Sequence, residues 1–299
     1  MVLVLLLAWP AGLTLWANSR IRSVDALSNA AGTPGTTYLL AGSDARPVGQ
    51  ADGTTGGRSD TILLLHVPVS GPTALISLPR DSYVKIRGHG SNKLNAAYSW
   101  GGPKLLVQTV EQLTGMTIDH YVGVEFDGVA EIVDAFGGVD LCSSLNVSDE
   151  VSGLVWTPGC HPVKGQEAML FARMRYADPQ GDIGRTLRQR ELLRSLAASA
   201  ADPSLLLRPG RQVSLVRAGT DALTVDKSAG IIDLARLALD LRRANGPGGI
   251  TGTPPIKNLN YRAPGVGSAV QLDPALTPTF FRQVRDGQLP PGPTGGMPG

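Results

Sequence analysis

The sequence predicts an α/β protein: a single three-layer α/β/α domain with a central mixed sheet, carried on an N-terminal membrane anchor. Three observations support this class. Short apolar runs end in turn residues, segments with helical periodicity follow them along the chain, and the first 17 residues carry no charged side chain. Because strands that are apolar at every position are buried on both faces, the sheet is expected between helical layers.

The elements follow from local patterns. The apolar runs that indicate strands lie at residues 37–44, 61–67, 74–78 and 120–126. The segments that indicate helices lie at residues 93–100, 103–114, 127–136, 165–175, 184–201 and 229–244. We therefore predict one domain over residues 36–288, after a linker with a short helix at 18–35. A Pro/Gly-rich tail at 289–299 is predicted to be disordered.

Composition limits the classes of function. The chain has 299 residues, of which 42% are hydrophobic and 17% charged, which is enough for one large domain or two small ones. The formal net charge of +2 is too small for general binding to nucleic acid. Nucleic acid is therefore excluded as a partner, and any site for an anion must be local.

Residues 1–17 are interpreted as a transmembrane anchor that places the domain outside the cytoplasm. The run is close to the lower limit of about 17 residues for a spanning helix. Arg20 and Arg22 follow it, whereas the positive-inside rule would place basic residues before it. A cleaved signal segment and a buried helix are the alternatives, although no clean signal-cleavage pattern is present.

Cys142 and Cys160 are the only cysteines, and they enclose a segment rich in Ser, Asn, Gly and Pro. Outside the cytoplasm this pair is expected to form a disulfide bond that stabilises a segment with little core of its own. The alternative is two unrelated buried thiols. Two cysteines without clustered histidines exclude a cysteine-based metal site.

Residues 173–194 hold six arginines and no lysine. In a helix that starts at Gly184, a rotation of about 100° per residue places Arg185 and Gln189 in line with Leu192 and Leu196. A guanidinium on such a buried stripe needs an anionic partner, because its desolvation is costly. Arginine also matches two phosphate oxygens at once. The segment therefore predicts a site for a phosphorylated ligand.

Acidic and basic residues follow three of the predicted strands. Asp44 ends the first strand, and Arg58 and Asp60 begin the second after a glycine-rich loop. If these strands pair as antiparallel neighbours, the two carboxylates converge and form an oxygen site suited to magnesium. Arg80 and Asp81 follow the third strand, at an edge where α/β proteins bind ligands. Turn-capping aspartates and a surface ion pair are the alternatives.

Lys93 opens the next predicted helix, where its side chain and the first amide groups could contact a phosphate. The alternative is a solvated lysine. Two carboxylates for a cation and arginines from separate segments together suit a pyrophosphate. The sequence contains no P-loop pattern, and it shows no Ser/His/Asp arrangement of the kind that serine hydrolases use.

An ordered set of motifs between about residues 38 and 196 resembles the LytR-CpsA-Psr family. The motifs are Gly42-Ser43-Asp44, Arg58-Ser59-Asp60, Ser77-Leu78-Pro79-Arg80-Asp81, Lys93-Leu94-Asn95-Ala96-Ala97-Tyr98, Phe136-Gly137-Gly138-Val139-Asp140, Gly165-Gln166-Glu167-Ala168, Arg173-Met174-Arg175 and Gly181 to Arg190. The resemblance implies a membrane-anchored, extracytoplasmic transferase. Such an enzyme moves a glycopolymer from a polyprenyl-pyrophosphate carrier onto peptidoglycan and leaves a phosphodiester link.

The resemblance also implies roles for individual residues. Asp44 and Asp60 would hold magnesium, with manganese as the alternative ion. The pyrophosphate would be bound by Arg58, Arg80, Arg173, Arg175, Arg185 and Gln189. To these we add Lys93 and Arg188 as predicted substrate-binding residues of our own. Among these, Arg58, Arg80 and Arg185 would act in catalysis together with Asp81, and Asp81 or a metal-bound aspartate would accept the proton. The lipid would enter an apolar tunnel whose mouth the arginines line.

Two other functions would use similar residues. A pyrophosphatase acting on polyprenyl pyrophosphate would replace the sugar hydroxyl with water. A non-catalytic regulator would bind the polyprenyl phosphate and never consume it.

Overall fold

The computed structural model describes residues 2–44, 58–149, 152–174, 178 and 182–297. The helices in these ranges are α1 (Val2–Arg20), α2 (Leu94–Thr114), α3 (Phe126–Ala135), α4 (Gly165–Arg173), α5 (Asp182–Ala200), α6 (Pro209–Ala222), α7 (Ile231–Ala244) and α8 (Thr277–Arg285), with a 3-10 helix at Pro203–Leu207. The strands are β1 (Arg22–Val24), β2 (Thr36–Asp44), β3 (Arg58–Val67), β4 (Ala74–Ser77), β5 (Tyr83–Ile86), β6 (Gly90–Lys93), β7 (His120–Glu125), β8 (Val139–Ser143), β9 (Val147–Asp149), β10 (Leu154–Trp156), β11 (Gly159–Val163), β12 (Leu223–Asp226), β13 (Ile250–Ala263), β14 (Gly267–Leu272) and β15 (Gly292–Gly296).

The chain folds into two compact units, each built from separate segments. The helical unit consists of Met1–Arg22, Glu125–Leu223 and Gly230–Arg242. The sheet unit consists of Ser23–Val124, Thr224–Ala229 and Arg243–Gly299. Both units are discontinuous in sequence, because the chain leaves the sheet after β7 and returns to it with β12; the predicted domain bounds of 36–288 stay a prediction.

The sheet unit confirms the predicted central mixed sheet. Its strand order is β1-β12-β7-β2-β3-β4-β13-β14, and β15 pairs with β13. The strands β2, β3 and β4 are antiparallel, whereas β13 runs parallel to β4. Leu39 and Ile62 on one face share a core with Leu106 of α2 and Phe281 of α8. Leu40, on the opposite face, is also buried, which is the two-sided burial that continuous apolar runs predict.

The predicted elements are present with small shifts at their ends. The four predicted strands correspond to β2, β3, β4 and β7, and the helix predictions correspond to α2, α3, α4, α5 and α7. The helices predicted at 93–100 and 103–114 form α2, which is interrupted by non-helical backbone at Gly101 and Gly102. Gly102 has a φ of 61°, which favours glycine.

Two predictions about the ends of the chain are wrong. The linker helix predicted within 18–35 is not formed: α1 ends at Arg20, β1 follows, and residues 25–35 are irregular. In the tail predicted to be disordered, β15 pairs in parallel with β13. This pairing uses main-chain groups, which a Gly/Pro-rich composition does not reveal.

His66 connects three elements of the sheet unit. Its imidazole is fully buried, with Nδ1 3.0 Å from the Thr37 hydroxyl and Nε2 3.0 Å from the Arg285 carbonyl oxygen. It therefore joins β3 to β2 and to the end of α8. Burial lowers the pKa of His66, because a charged imidazole would lose its hydration there.

The helical unit contains the N-terminal segment and the cysteine pair. The indole of Trp9 in α1 donates to Gln212 Oε1 of α6 at 2.6 Å. No helix within the described ranges is both long enough and apolar enough to cross a membrane, so the anchor stays a prediction. Cys142 and Cys160 form the predicted disulfide bond, which joins β8 to β11.

Candidate functional site

The first group of predicted site residues lies where β2 ends and β3 begins. The strands pair in antiparallel register, with Asp44 opposite Arg58 and Gly42 opposite Thr61. Asp60 is the extra residue of a bulge between these two pairs. The backbone therefore places both aspartates at the same end of the same strand pair, as the metal prediction requires. The side chains of Asp44, Arg58 and Asp60, and the glycine-rich loop at 53–57, lie outside the described part of the structure.

This donor set fits a hard divalent cation. Magnesium needs only one or two protein carboxylates and completes its coordination with water and phosphate oxygens, as Asp44 and Asp60 would allow. Among the side chains that the structure describes, no group of three or more His, Cys, Asp or Glu residues could hold a metal ion. Magnesium or manganese at the strand pair therefore stays a prediction.

The second group follows β4. Lys93 Nζ lies 3.0 Å from Asp81 Oδ1, and Arg80 Nε lies 3.6 Å from Asp81 Oδ2. The β5–β6 hairpin produces this arrangement, because its register places Tyr83 opposite Lys93. All three charged side chains are between 20% and 30% exposed, so their interaction is only partly screened by water. The cluster is thus a partly buried charged group at a strand end.

The start of α2 differs from the prediction. The Leu94 amide donates to the Ser82 carbonyl oxygen at 2.9 Å, and the Asn95 amide donates to the Arg80 carbonyl oxygen at 3.0 Å. Two of the amides that were expected to contact a phosphate therefore already have protein partners. Lys93 itself is paired with Asp81. The first amides of α2 are therefore not open to a phosphate, and Lys93 is not simply a lysine surrounded by water.

The third group lies on α4 and α5 of the helical unit. Arg173 is the exposed last residue of α4, and Arg185 and Gln189 are half-buried on α5. Arg175 lies outside the described part of the chain. Of the four predicted phosphate-binding arginines of this unit, three are thus described: Arg173 and Arg185 are at least partly accessible to solvent, and Arg188 is buried.

The buried stripe of α5 is not the predicted one. Its buried side includes Gly184, Arg188, Leu192 and Ser195, whereas Arg185 lies at its edge. The rotation follows from packing, because α5 lies against both α4 and β8. Arg188, rather than Arg185, is consequently the arginine inside the protein, with 4% of its side chain exposed.

Arg188 has the anionic partner that burial demands, and that partner belongs to the chain. Its Nη1 forms an ion pair with Asp178 Oδ2, its Nε donates to the Phe171 carbonyl oxygen at 2.9 Å, and its Nη2 donates to the Met174 carbonyl oxygen. Each guanidinium nitrogen thus donates within the protein. A substrate-binding role for Arg188 therefore stays a prediction that these internal contacts disfavour.

The sequence reasoning missed Asp178 and Gly184. A Cβ on Gly184 would overlap the Asp178 carboxylate, so glycine provides the space for the ion pair. A glycine in the first turn of a helix is a weak signal of such a close approach.

The two remaining arginines of α5 have other surroundings. Arg194 is exposed and pairs with Glu191 through two contacts of 2.7 Å. Arg190 is half-buried, and this burial lowers the pKa of its guanidinium. Neither was a predicted site residue.

Comparison with known proteins identifies the chain. The model of the LytR_cpsA_psr family matches residues 16–242. The probable cell wall biosynthesis protein LcpB of Corynebacterium glutamicum is 40% identical over 91% of this chain and 67% of its own length. The polyisoprenyl-teichoic acid–peptidoglycan teichoic acid transferase TagU of Enterococcus faecalis is 36% identical over 70% of this chain and 67% of its own. The fold matches a LytR-Csp2A-Psr enzyme from Actinomyces oris with a TM-score of 0.69 at 21% identity, covering 89% of this chain and 96% of that one. The chain is therefore a member of the LytR_cpsA_psr family.

Proposed function

We propose that this chain is an extracytoplasmic phosphotransferase that moves a glycopolymer from a polyprenyl-pyrophosphate carrier onto peptidoglycan. Family membership supports this, since one relative is named for cell wall biosynthesis and another for transfer of teichoic acid to peptidoglycan. The chain spans about two thirds of each relative, so the activity of a whole protein is part of the proposal.

The observation that carries the proposal is the pair of accessible arginines on adjoining helices. Arg173 ends α4, and Arg185 stands on the first turns of α5, while the Arg188 guanidinium between these helices is already neutralised. Arginines that water reaches can exchange that water for phosphate oxygens and form two parallel hydrogen bonds with them. We assign to pyrophosphate binding Arg58, Arg80, Lys93, Arg173, Arg175, Arg185 and Gln189.

Asp44 and Asp60 would hold magnesium in this proposal. The ion would supply positive charge to the phosphate oxygens while a phosphoryl group is transferred. Asp81 has a different task. Because it already accepts Lys93 at 3.0 Å, we assign it the orientation of Lys93 and Arg80, so that both cations stay at the strand end.

The reaction we propose is one displacement at phosphorus. The muramyl hydroxyl oxygen attacks the phosphorus bonded to the sugar of the glycopolymer. The bond from that phosphorus to the bridging oxygen breaks, and the oxygen leaves with the polyprenyl monophosphate, which takes up the proton that the hydroxyl loses. Guanidinium groups held in place before the reaction stabilise the charge that develops on the leaving phosphate.

The location of the enzyme is part of the proposal. The lipid of the substrate would be accommodated in an apolar tunnel, and residues 1–17 would anchor the chain in the plasma membrane. The Cys142–Cys160 disulfide supports an extracytoplasmic position, because such bonds persist in oxidising compartments.

The test is a product analysis with the purified full chain. A polyprenyl-pyrophosphate-linked oligosaccharide is incubated with magnesium, with and without a peptidoglycan fragment, and the products are identified by mass spectrometry. The proposal expects a phosphodiester-linked conjugate and polyprenyl monophosphate only when the acceptor is present. Arg185→Ala should abolish the conjugate while the circular dichroism spectrum stays that of the wild type. Arg194→Gln is the matched control on the same helix.

Two outcomes would contradict the proposal. Release of glycan phosphate without attachment, even with the acceptor present, would identify a pyrophosphatase. Binding of the lipid without magnesium and without consumption would identify a regulator. Wild-type turnover by Arg185→Ala would refute the assigned arginine site in particular.

A further inference from the structure

The link between α4 and α5 contains a deeply buried ion pair between Arg188 and Asp178. Only 4% of the Arg188 side chain and 3% of the Asp178 side chain are exposed. Arg188 Nε donates to the Phe171 carbonyl oxygen at 2.9 Å, and its Nη2 donates to the Met174 carbonyl oxygen. A single guanidinium on α5 therefore holds both the last turn of α4 and the segment that follows it.

These acceptors are the groups that most need a donor. The last carbonyl groups of a helix have no partner within the helix and carry partial negative charge. The Phe171 carbonyl belongs to the last turn of α4, and Met174 is the residue at which α4 ends. The arginine thus neutralises the helix end and the Asp178 carboxylate together, which leaves no part of its charge uncompensated.

Gly184 makes this arrangement possible. It lies two residues after the start of α5, where most side chains would be tolerated, yet any Cβ there would overlap the carboxylate of Asp178. The three atoms nearest to a Cβ at Gly184 all belong to the Asp178 side chain. Gly184 therefore sets how closely Asp178 approaches α5.

The residues proposed to bind pyrophosphate flank the ion pair on both sides. Arg173 lies between the acceptor residues Phe171 and Met174, and Arg185 lies about one helical turn before Arg188 on α5. Gln189 is the residue after Arg188. The distance between the arginine on α4 and those on α5 is consequently held by contacts that Arg188 makes with main-chain oxygens.

We propose that Arg188, Asp178 and Gly184 form a buried clamp that positions the phosphate-binding arginines and does not itself contact substrate. This inference rests on the proposed function and deepens it. Arg188 and Asp178 are positioning residues: they act on a pyrophosphate group only through Arg173, Arg185 and their segment. The clamp keeps these arginines at a fixed spacing before the substrate arrives, which is the preorganisation that phosphoryl transfer requires.

The test compares three clamp variants with a matched control. Asp178→Asn removes the charge and keeps the shape, Arg188→Met removes the donors, and Gly184→Ala leaves both charges in place and displaces Asp178. The control, Arg194→Gln, breaks an arginine–carboxylate pair on the exposed side of the same helix. The reaction is followed as polyprenyl monophosphate released by the full chain, and ligand binding is followed by calorimetry with geranylgeranyl pyrophosphate.

The clamp predicts a loss of about 100-fold in kcat/KM for Asp178→Asn, mostly in kcat, because displacement by about 1 Å can have that effect. The double variant of Asp178 and Arg188 should lose no more kcat/KM than the worse single variant, since both substitutions break the same ion pair. A direct ligand role predicts another pattern, in which Arg188→Met loses activity and Asp178→Asn keeps wild-type kcat and KM. Additive losses in the double variant would likewise overturn the clamp.

A second measurement does not depend on turnover. Amide hydrogen exchange in residues 171–184 should be at least about tenfold faster in Asp178→Asn and in Gly184→Ala than in the wild type, and unchanged in Arg194→Gln. Wild-type exchange in both clamp variants would refute the clamp even if the enzyme is active. Absence of turnover in the wild type, with faster exchange in the variants, would instead refute the proposed function and leave the clamp standing. Gly184→Ala keeps the test decisive if Arg188→Met does not fold.

Discussion

Removing the disulfide bond should destabilise the helical unit by about 3 kcal/mol. Cys142 and Cys160 are separated by 18 positions in sequence and join β8 to β11. In the chain-entropy treatment, a cross-link over a loop of this length removes about 11 cal/mol/K from the unfolded chain, which is about 3 kcal/mol at 25 °C. Neither cysteine is buried, so replacement with serine adds little desolvation cost of its own.

The consequence should reach the proposed site. The loop that the disulfide closes contains Trp156, whose ring packs on Phe171 at a centroid distance of 4.5 Å. The carbonyl oxygen of Phe171 accepts from Arg188, so looser packing of the loop would loosen one contact of the clamp. We therefore expect the variant without the disulfide to lose activity on heating before the wild type does.

The assay is urea unfolding of the Cys142→Ser/Cys160→Ser variant, monitored by tryptophan fluorescence. A Trp100→Phe background removes the one tryptophan of the sheet unit, and the signal then comes from the helical unit. Reduced wild-type protein should unfold at the same urea concentration as the serine variant. A difference in the free energy of unfolding below about 1 kcal/mol, with unchanged slope, would refute the entropic argument.

Three further outcomes are expected. Removal of the divalent cation with EDTA should lower the rate of transfer at least about 100-fold, and so should Asp44→Asn or Asp60→Asn. Added magnesium should restore the rate of the EDTA-treated enzyme and not that of the two variants. Lys93→Met should lower kcat/KM about tenfold, since a hydrogen bond with a charged group contributes about 1.5–3 kcal/mol; wild-type kinetics would show that Lys93 is only a surface charge. Burial lowers the pKa of His66 below its unfolded value of about 6.5. The neutral imidazole therefore makes its full contribution to the free energy of unfolding above pH 6.5, and this contribution is lost as the pH falls. Between pH 6.5 and 5 the free energy of unfolding should decrease by at most about 1.4 kcal/mol per pH unit, and a His66→Gln variant that keeps this slope would refute the assignment.

The strands of the sheet were predictable because their signal is local. The runs at 37–44 and 61–67 each contain four consecutive apolar residues, and both faces of β2 and β3 are in fact buried. The glycine pair Gly101 and Gly102 marked the break within α2 for a similarly local reason. By contrast, β15 depends on main-chain pairing with a distant strand, and the composition of Gly292–Gly296 carries no sign of it.

The candidate site was predictable at the strand ends and not between the helices. The turn residues after β2 and β4 indicated where Asp44, Arg80 and Asp81 lie along their strands. The partner of Arg188 depended on how α4 packs against α5, which the helical period of one segment does not determine. The helical period therefore predicted correctly that α5 carries a buried arginine. It indicated Arg185, whereas Arg188 is the buried residue in the structure.

The different roles of these arginines follow from one energetic condition. A guanidinium that is fully buried must keep an anionic partner at all times, because an unpaired buried charge is strongly destabilising. A substrate phosphate cannot meet this condition, since it leaves after every turnover and the charge would then be uncompensated. Arg188 accordingly pairs with Asp178, a permanent partner. Arginines proposed to bind and release phosphate must instead be accessible to water in the free enzyme, as the exposed Arg173 and the half-buried Arg185 are.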